Sequence, residues 1–180
     1  FFGTGKMLEA ADLNNTNVQT WYGIQDVAGI VDRSHLKQRF MQNVTYQNGS
    51  ETRPARSITE ATENDMAGSK GWYIDLIDTK ERIVSRPVMA GNSLVVSTAI
   101  PSGDDCRPAG DGYVLSIDPF KGSRLKYHFF DLSKDAEFDG KDGLGSDEAK
   151  IPASGVKFQG TPSEAVFFED QYAIGLASAK

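Results

Sequence analysis

Four aspartates, Asp131, Asp135, Asp139 and Asp142, fall in the run YHFFDLSKDAEFDGKD between Tyr127 and Asp142, at the spacing of a cation-binding loop. Asp131, Ser133, Asp135 and Asp139 stand at positions one, three, five and nine, with the carbonyl of Glu137 at seven. Alternate residues of such a loop can fold their oxygens inward. A hard, oxygen-seeking ion, calcium above all, is the natural occupant. Without a cation, carboxylates held within a few ångströms of one another repel, so an ordered loop of this composition needs a bound ion or splayed, solvated side chains. Spacing alone leaves both readings standing, a calcium site and a solvated acidic turn.

Departures from the usual loop bear on affinity. Ala136 occupies position six, where positive φ costs alanine about 1 kcal/mol against glycine. Ser133 offers a neutral oxygen in place of a charged or amide one. Asp142, at position twelve, is a further candidate ligand, one methylene shorter than the bidentate glutamate of an EF-hand. The approach, Tyr127 to Leu132, is aromatic and apolar and suits a strand, so the loop chemistry is expected without the flanking helices of an EF-hand.

The elements that must position this loop read as strands bounded by turns. Apolar or alternating segments at 1–4, 19–24, 72–76, 82–88, 93–100, 112–118, 125–130, 164–168 and 172–177 predict β structure. Ala90-Gly91-Asn92 predicts a tight turn, and Pro119 to Gly122 closes another, giving an antiparallel meander. TPSEAVFFEDQYAIGLAS repeats the order of proline, strand, polar turn and small-residue strand seen in RPVMAGNSLVVSTA, as repeated blades would. Leu36 and Phe40, four apart in Arg33 to Gln42, predict a short surface helix. The polar stretch from Asn48 to Ser69 predicts a long exposed loop, with a strand near Ser57 to Thr62. The expected fold class is all-β, with antiparallel meanders, long loops and one short helix.

Other chemistry finds less support. GTGK at Gly3 to Lys6 lacks the span of a phosphate loop, and Met7 stands where Ser or Thr would bind magnesium. Ser102 and Ser154 lack a nucleophile-elbow context. Asp104 and Asp105 are adjacent, which sends their side chains apart. Cys106 has no second cysteine with which to pair, and as a nucleophile it lacks a nearby histidine, since His35 and His128 are distant in sequence. Sequons at Asn14, Asn43 and Asn48 matter only in a glycosylating pathway.

At 180 residues the chain can form one domain with a sizeable core. A formal charge of −6 without a Lys/Arg cluster argues against nucleic acid. No apolar run reaches the length of a membrane-spanning helix. Phe1 is neither an initiator methionine nor part of a signal peptide, so the sequence reads as a piece of a longer chain, with any targeting segment upstream.

Several segments taken together resemble one family. FFGTGKMLEAADL, NTNVQTWYGIQD, GWYIDL, ERIVSRPVMAGNSLVVSTAIPSGDDC and GYVLSIDPFKGSRL are similar to the C-terminal domain of the PilY/PilC proteins of type IV pilus biogenesis and tip adhesion. The likeness spans nearly the whole chain. It implies a modified β-propeller, exported through the periplasm and displayed at the pilus tip, outer membrane or cell surface. It also implies a calcium loop, corresponding here to Asp131, Ser133, Asp135, the Glu137 carbonyl and Asp139, in which this sequence lacks the usual Asn at position three and Gly at position six. Blades of about 40 to 50 residues would leave room for three or four, as a partial propeller, a smaller version or one part of a nicked chain. The function implied is non-enzymatic: calcium-modulated control of pilus extension and retraction, with pilus subunits or minor pilins as partners and attachment to a host surface receptor. A different class, the quinoprotein dehydrogenases, shares the PV-GN-LVVST-GYVLSIDP-G pattern, but no cofactor ring or catalytic carboxylate can be assigned.

Overall fold

Short strands joined mostly in antiparallel pairs make up the regular structure of the chain. The computed structural model describes residues 1–102, 110–146, 150–168 and 171–177, and Asp104, Asp105 and Cys106 lie outside these. In chain order the strands are β1 (Phe2–Gly3), β2 (Thr20–Ile24), β3 (Lys37–Arg39), β4 (Met41–Asn48), β5 (Glu51–Ile58), β6 (Gly71–Asp75) and β7 (Val88–Ala90). There follow β8 (Ser93–Ser97), β9 (Asp111–Ile117), β10 (Gly155–Gln159), β11 (Thr161–Pro162), β12 (Val166–Phe168), β13 (Gln171–Ala173) and β14 (Leu176–Ala177). Among the described residues there is no α-helix, only short 3-10 segments at Ala10–Asn14, Arg33–His35 and Gly140–Asp142.

Two sheets carry the architecture. One has the order β1-β2-β6-β3 and the other β4-β5-β10-β9-β8-β7, with β11-β14 and β12-β13 as small ribbons. All pairings are antiparallel except that of β3 with β6. The β4-β5 and β7-β8 hairpins turn through two residues each, Gly49-Ser50 and Gly91-Asn92. The first of each pair takes the positive φ that such turns require, 58° at Gly49 and 56° at Gly91.

Period-two alternation explains why the middle of the six-stranded sheet, β8 and β9 above all, is buried on both faces. Leu94 and Val96 of β8 join Tyr113, Leu115 and Ile117 of β9 in a core that meets Trp21, Trp72 and Ile74 of the four-stranded sheet. Val95 and Val114 point the other way, into a second core with Tyr46, Ala55 and Val156. Phe130, Leu132 and Leu144 close that second core from outside. The acidic loop is therefore slung between residues that seal the sheet.

Several strand boundaries differ from the sequence reading for identifiable reasons. The helix expected over Arg33 to Gln42 is one 3-10 turn followed by β3 and the start of β4, because Phe40 faces solvent while Arg39 is buried. Within the loop expected over Asn48 to Ser69, Glu51–Ile58 forms β5, paired along its whole length with β4, while residues 59–69 are turns and loop, so the strand expected near Ser57 to Thr62 ends at Ile58. Leu125 to Phe130 forms no strand, since β10 takes the place between β5 and β9. Its Leu125 and Phe130 serve as buried plugs. In Arg82 to Val88, Arg82 makes one bridge to Ala99, and pairing resumes only after Pro87, which has no amide to donate.

Candidate cation-binding loop

Asp142 sets the frame of the loop. It is fully buried, and its Oδ1 accepts from the amides of Leu132 at 2.8 Å and Ser133 at 2.9 Å, while Oδ2 accepts from the amide of Asp139 at 3.1 Å. One carboxylate thus clasps both ends of the segment and compensates three buried or half-buried amides. The buried Tyr46 donates its hydroxyl to the Lys141 carbonyl at 3.0 Å, and Lys134 reaches Glu51 of β5 at 3.1 Å. The loop is pinned at its ends and tied along one side.

Asp131 organises the first half. Its Oδ1 accepts from the Lys134 amide at 2.6 Å and from the Ser133 hydroxyl at 3.4 Å, and its Oδ2 accepts from the Ala136 amide at 3.0 Å. To bring those amides round, Lys134 and Ala136 adopt φ of 63° and 64°. Ala136 therefore carries the left-handed strain expected of position six, about 1 kcal/mol against glycine.

The second half gathers around one ammonium. Lys141 Nζ lies 2.7 Å from Asp135 Oδ2, 3.4 Å from Glu137 Oε2 and 3.8 Å from Asp139 Oδ2. Asp135 Oδ1 also accepts from the Glu137 amide at 3.0 Å, and Asp139 Oδ1 from the Lys141 amide at 2.7 Å. The ammonium first, then the amide, holds the Asp135 carboxyl below the usual carboxylate range. Reciprocally, Asp135 and then Glu137 raise the Lys141 ammonium above the usual lysine value. Among the described residues no three His, Cys, Asp or Glu side chains are grouped tightly enough to grip an ion. In the loop they are spaced around Lys141 instead.

Of the sequence-predicted oxygens, then, Asp131 and Ser133 are linked to each other, and Asp135, Glu137 and Asp139 share Lys141. Glu137 makes this contact with its side chain. The donor set fits a hard cation in its chemistry, since every group is an oxygen and a positive charge already stands among three of them. Lys141 itself gave no signal in the sequence. Position eleven lies two residues beyond the last expected ligand, and the 3-10 turn at Gly140–Asp142 accompanies the return of its side chain to Asp135, Glu137 and Asp139.

Phe138, between Glu137 and Asp139, is 60% exposed. With Met89, Tyr127, His128, Phe129 and Phe167 it lines a groove of about 450 Å³ beside the loop. An aromatic ring of the groove is thereby covalently flanked by two of the loop's acids. The other sites read from the sequence are structural: Ser154 is buried and accepts from the Ile58 amide at 3.1 Å, and Lys6 pairs with Glu9 and Asp12.

A second charged cluster lies in the interior. Arg56 of β5 places Nη1 2.6 Å from Glu81 Oε1 and Nη2 3.3 Å from Asp78 Oδ1, and its Nε donates to Asn43 at 3.1 Å. Its guanidinium carbon stands 3.5 Å from the centroid of the Tyr113 ring. Burial foremost pushes the Tyr113 hydroxyl up to about 12.

Comparison with known proteins places the chain. A scan of protein-family profiles finds no match. A "Type IV pilus biogenesis factor PilY1 homolog" of Xylella fastidiosa (strain Temecula1) is 34% identical over 97% of this chain, and "Type IV pilus biogenesis factor PilY1" of Pseudomonas aeruginosa PAO1 is 26% identical over 88%. The chain belongs to the PilY1 family. It spans 14% and 16% of the length of those two relatives. The crystal structure of the Pseudomonas aeruginosa PilY1 C-terminal domain superposes with a TM-score of 0.77 at 23% identity, covering 99% of this chain and 39% of that one. The PilY1 C-terminal domain fold, β-propeller-like and built mostly of antiparallel strands without α-helices, is thus the fold of the described residues.

Proposed function

We propose that this chain is a non-enzymatic part of a type IV pilus biogenesis factor whose loop at 131–142 controls engagement of the pilus by taking up calcium. The observation that carries this reading is the gathering of Asp135, Glu137 and Asp139 around a single positive charge, in a loop whose path Asp131 and Asp142 already fix. Kinship with proteins named type IV pilus biogenesis factors supports the cellular role.

The ligands would be the carboxylates of Asp131, Asp135 and Asp139, the Ser133 hydroxyl and the Glu137 carbonyl, with Asp142 holding the frame. Bound there, calcium supplies the positive charge that lets three carboxylates approach one another. Drawn inward, Asp139 and the Glu137 backbone shift Phe138 between them, which reshapes the groove it shares with Met89 and Tyr127. That groove is the face offered to pilus subunits or minor pilins, and a host surface receptor is the second class of partner. The location that follows is exported, after periplasmic transit, at the pilus tip, outer membrane or cell surface. The loop then biases an existing equilibrium, and only its differential affinity for the two loop conformations drives the change.

Thermal unfolding with calcium or with a chelator tests the reading. The parent chain gains melting temperature with calcium, and Asp135→Ala abolishes the gain. An unchanged melting temperature of the parent under both conditions rejects the switch. If the groove transmits the signal, Phe138→Ala keeps the calcium-dependent gain and loses calcium-dependent binding to pilus subunits.

A further inference from the structure

We propose that the Lys141 ammonium is a tethered counter-ion: it holds the loop's carboxylates together when no metal is present, and must leave before a divalent ion can bind, so that it sets the loop's affinity. This inference rests on the calcium reading above. Its grounds are the loop's own residues. Lys141 Nζ is within 4 Å of three carboxylates, two of which, Asp135 and Asp139, belong to the ligand set. An ammonium is a compact point charge on a flexible stem, and it can satisfy several carboxylates without the fixed geometry a guanidinium imposes.

Two cations cannot share this space. A lysine charge a few ångströms from a divalent ion repels it, and Asp135 Oδ2 cannot both face Nζ at 2.7 Å and turn wholly to a metal. The exchange is nevertheless easy. The Lys141 side chain is 55% exposed, and exposed ion pairs of this kind contribute little net stability, so the ammonium can swing into water while the backbone stays where Tyr46 and Asp142 hold it. Lys134, the other basic residue of the loop, pairs with Glu51 outside the cluster and leaves the role to Lys141 alone among the loop's basic residues.

The consequence for specificity is direct. A monovalent charge supplied from within competes well against dilute monovalent ions and poorly against calcium at high concentration. The loop is accordingly tuned to weak, reversible binding, which suits a switch.

Calcium titration by calorimetry, with thermal unfolding in chelator, decides the matter for the parent, Lys141→Gln and Lys141→Arg. Lys141→Gln is expected to bind calcium roughly three- to tenfold more tightly than the parent, an effect the size of a lost exposed ion pair plus relieved repulsion. In chelator the same variant melts lower than the parent, and in saturating calcium the two melt together. Lys141→Arg keeps the charge and is expected to bind calcium less tightly than Lys141→Gln. Equal calcium affinity in the parent and Lys141→Gln overturns the counter-ion while leaving the calcium site intact. Absence of binding in all three proteins overturns the counter-ion together with the calcium reading.

Discussion

The loop at 131–142 and the Arg56 cluster are assembled from the same materials, carboxylates gathered about one basic side chain, yet water reaches them very differently. Lys141 and Asp135 are 55% and 33% exposed, whereas Arg56 and Glu81 are wholly buried. In the interior neither ion can be separated from its partner without stranding a charge in a poor dielectric, so the pair is fixed and its role is structural. On the surface either partner can fall back on water. The difference separates charges that specify the fold from charges free to be exchanged for an ion.

The comparison breaks most sharply at Glu81. Glu81→Gln should destabilise the chain by about 3 kcal/mol, because it leaves Arg56 buried beside Asp78 alone, and chemical denaturation would register it as a lower midpoint. A loss below about 1 kcal/mol would mean that Arg56 is hydrated and the contrast with Lys141 is one of degree. Asp142→Ala comes next. It removes the clasp on three amides, a loss of about 2 kcal/mol in the same measurement, and it should abolish calcium response even though every proposed ligand remains.

Arg39 and Asp65 offer an intermediate case, 1% and 13% exposed. The Arg39 hydrogen bond holds the Asp65 carboxyl down to about 2, below its ordinary 3.8. A depressed carboxyl stabilises the fold at pH above its unfolded value, and that stability drains away as pH falls from about 3.8 to about 2. Asp65→Asn should therefore flatten the decline in melting temperature across that window and leave the slope above pH 5 unchanged. The smallest effect has the opposite sign. Ala136→Gly should raise stability by about 1 kcal/mol through relief of the 64° φ, and tighten calcium binding if the strain is also present in the bound loop.

Much of this was legible before any coordinates. The apolar runs around Trp21, Trp72, Val95 and Val114 carried the all-β architecture, because alternation and glycine turns constrain a strand locally. The β4-β5 hairpin escaped because Thr45, Gln47 and Thr52 are exposed and resemble loop residues, while its apolar positions Met41, Val44, Tyr46, Ala55 and Ile58 follow no unbroken alternation. The reverse error fell on Leu125 to Phe130, where burial comes from plugging a core and no partner strand is left for the backbone. In the loop, oxygen spacing was readable from the residues at 131–139. Lys141 was not, nor was the tie from Tyr46, since these depend on a backbone turn and on a contact 95 residues away. Glu81, 25 residues from Arg56, was hidden in the same way.

The clasp made by Asp142 has a mechanical corollary. With Leu132 and Leu144 locked in the core and Asp142 bridging between them, the loop is a closed span whose abutments do not move. Any tightening at its crown must be taken up by the crown itself, and Phe138 is the bulkiest part free to travel. Were the loop to take up an ion as proposed, such a span would work as a short-throw lever, converting a change of charge into displacement of one ring while the sheet beneath bore no load.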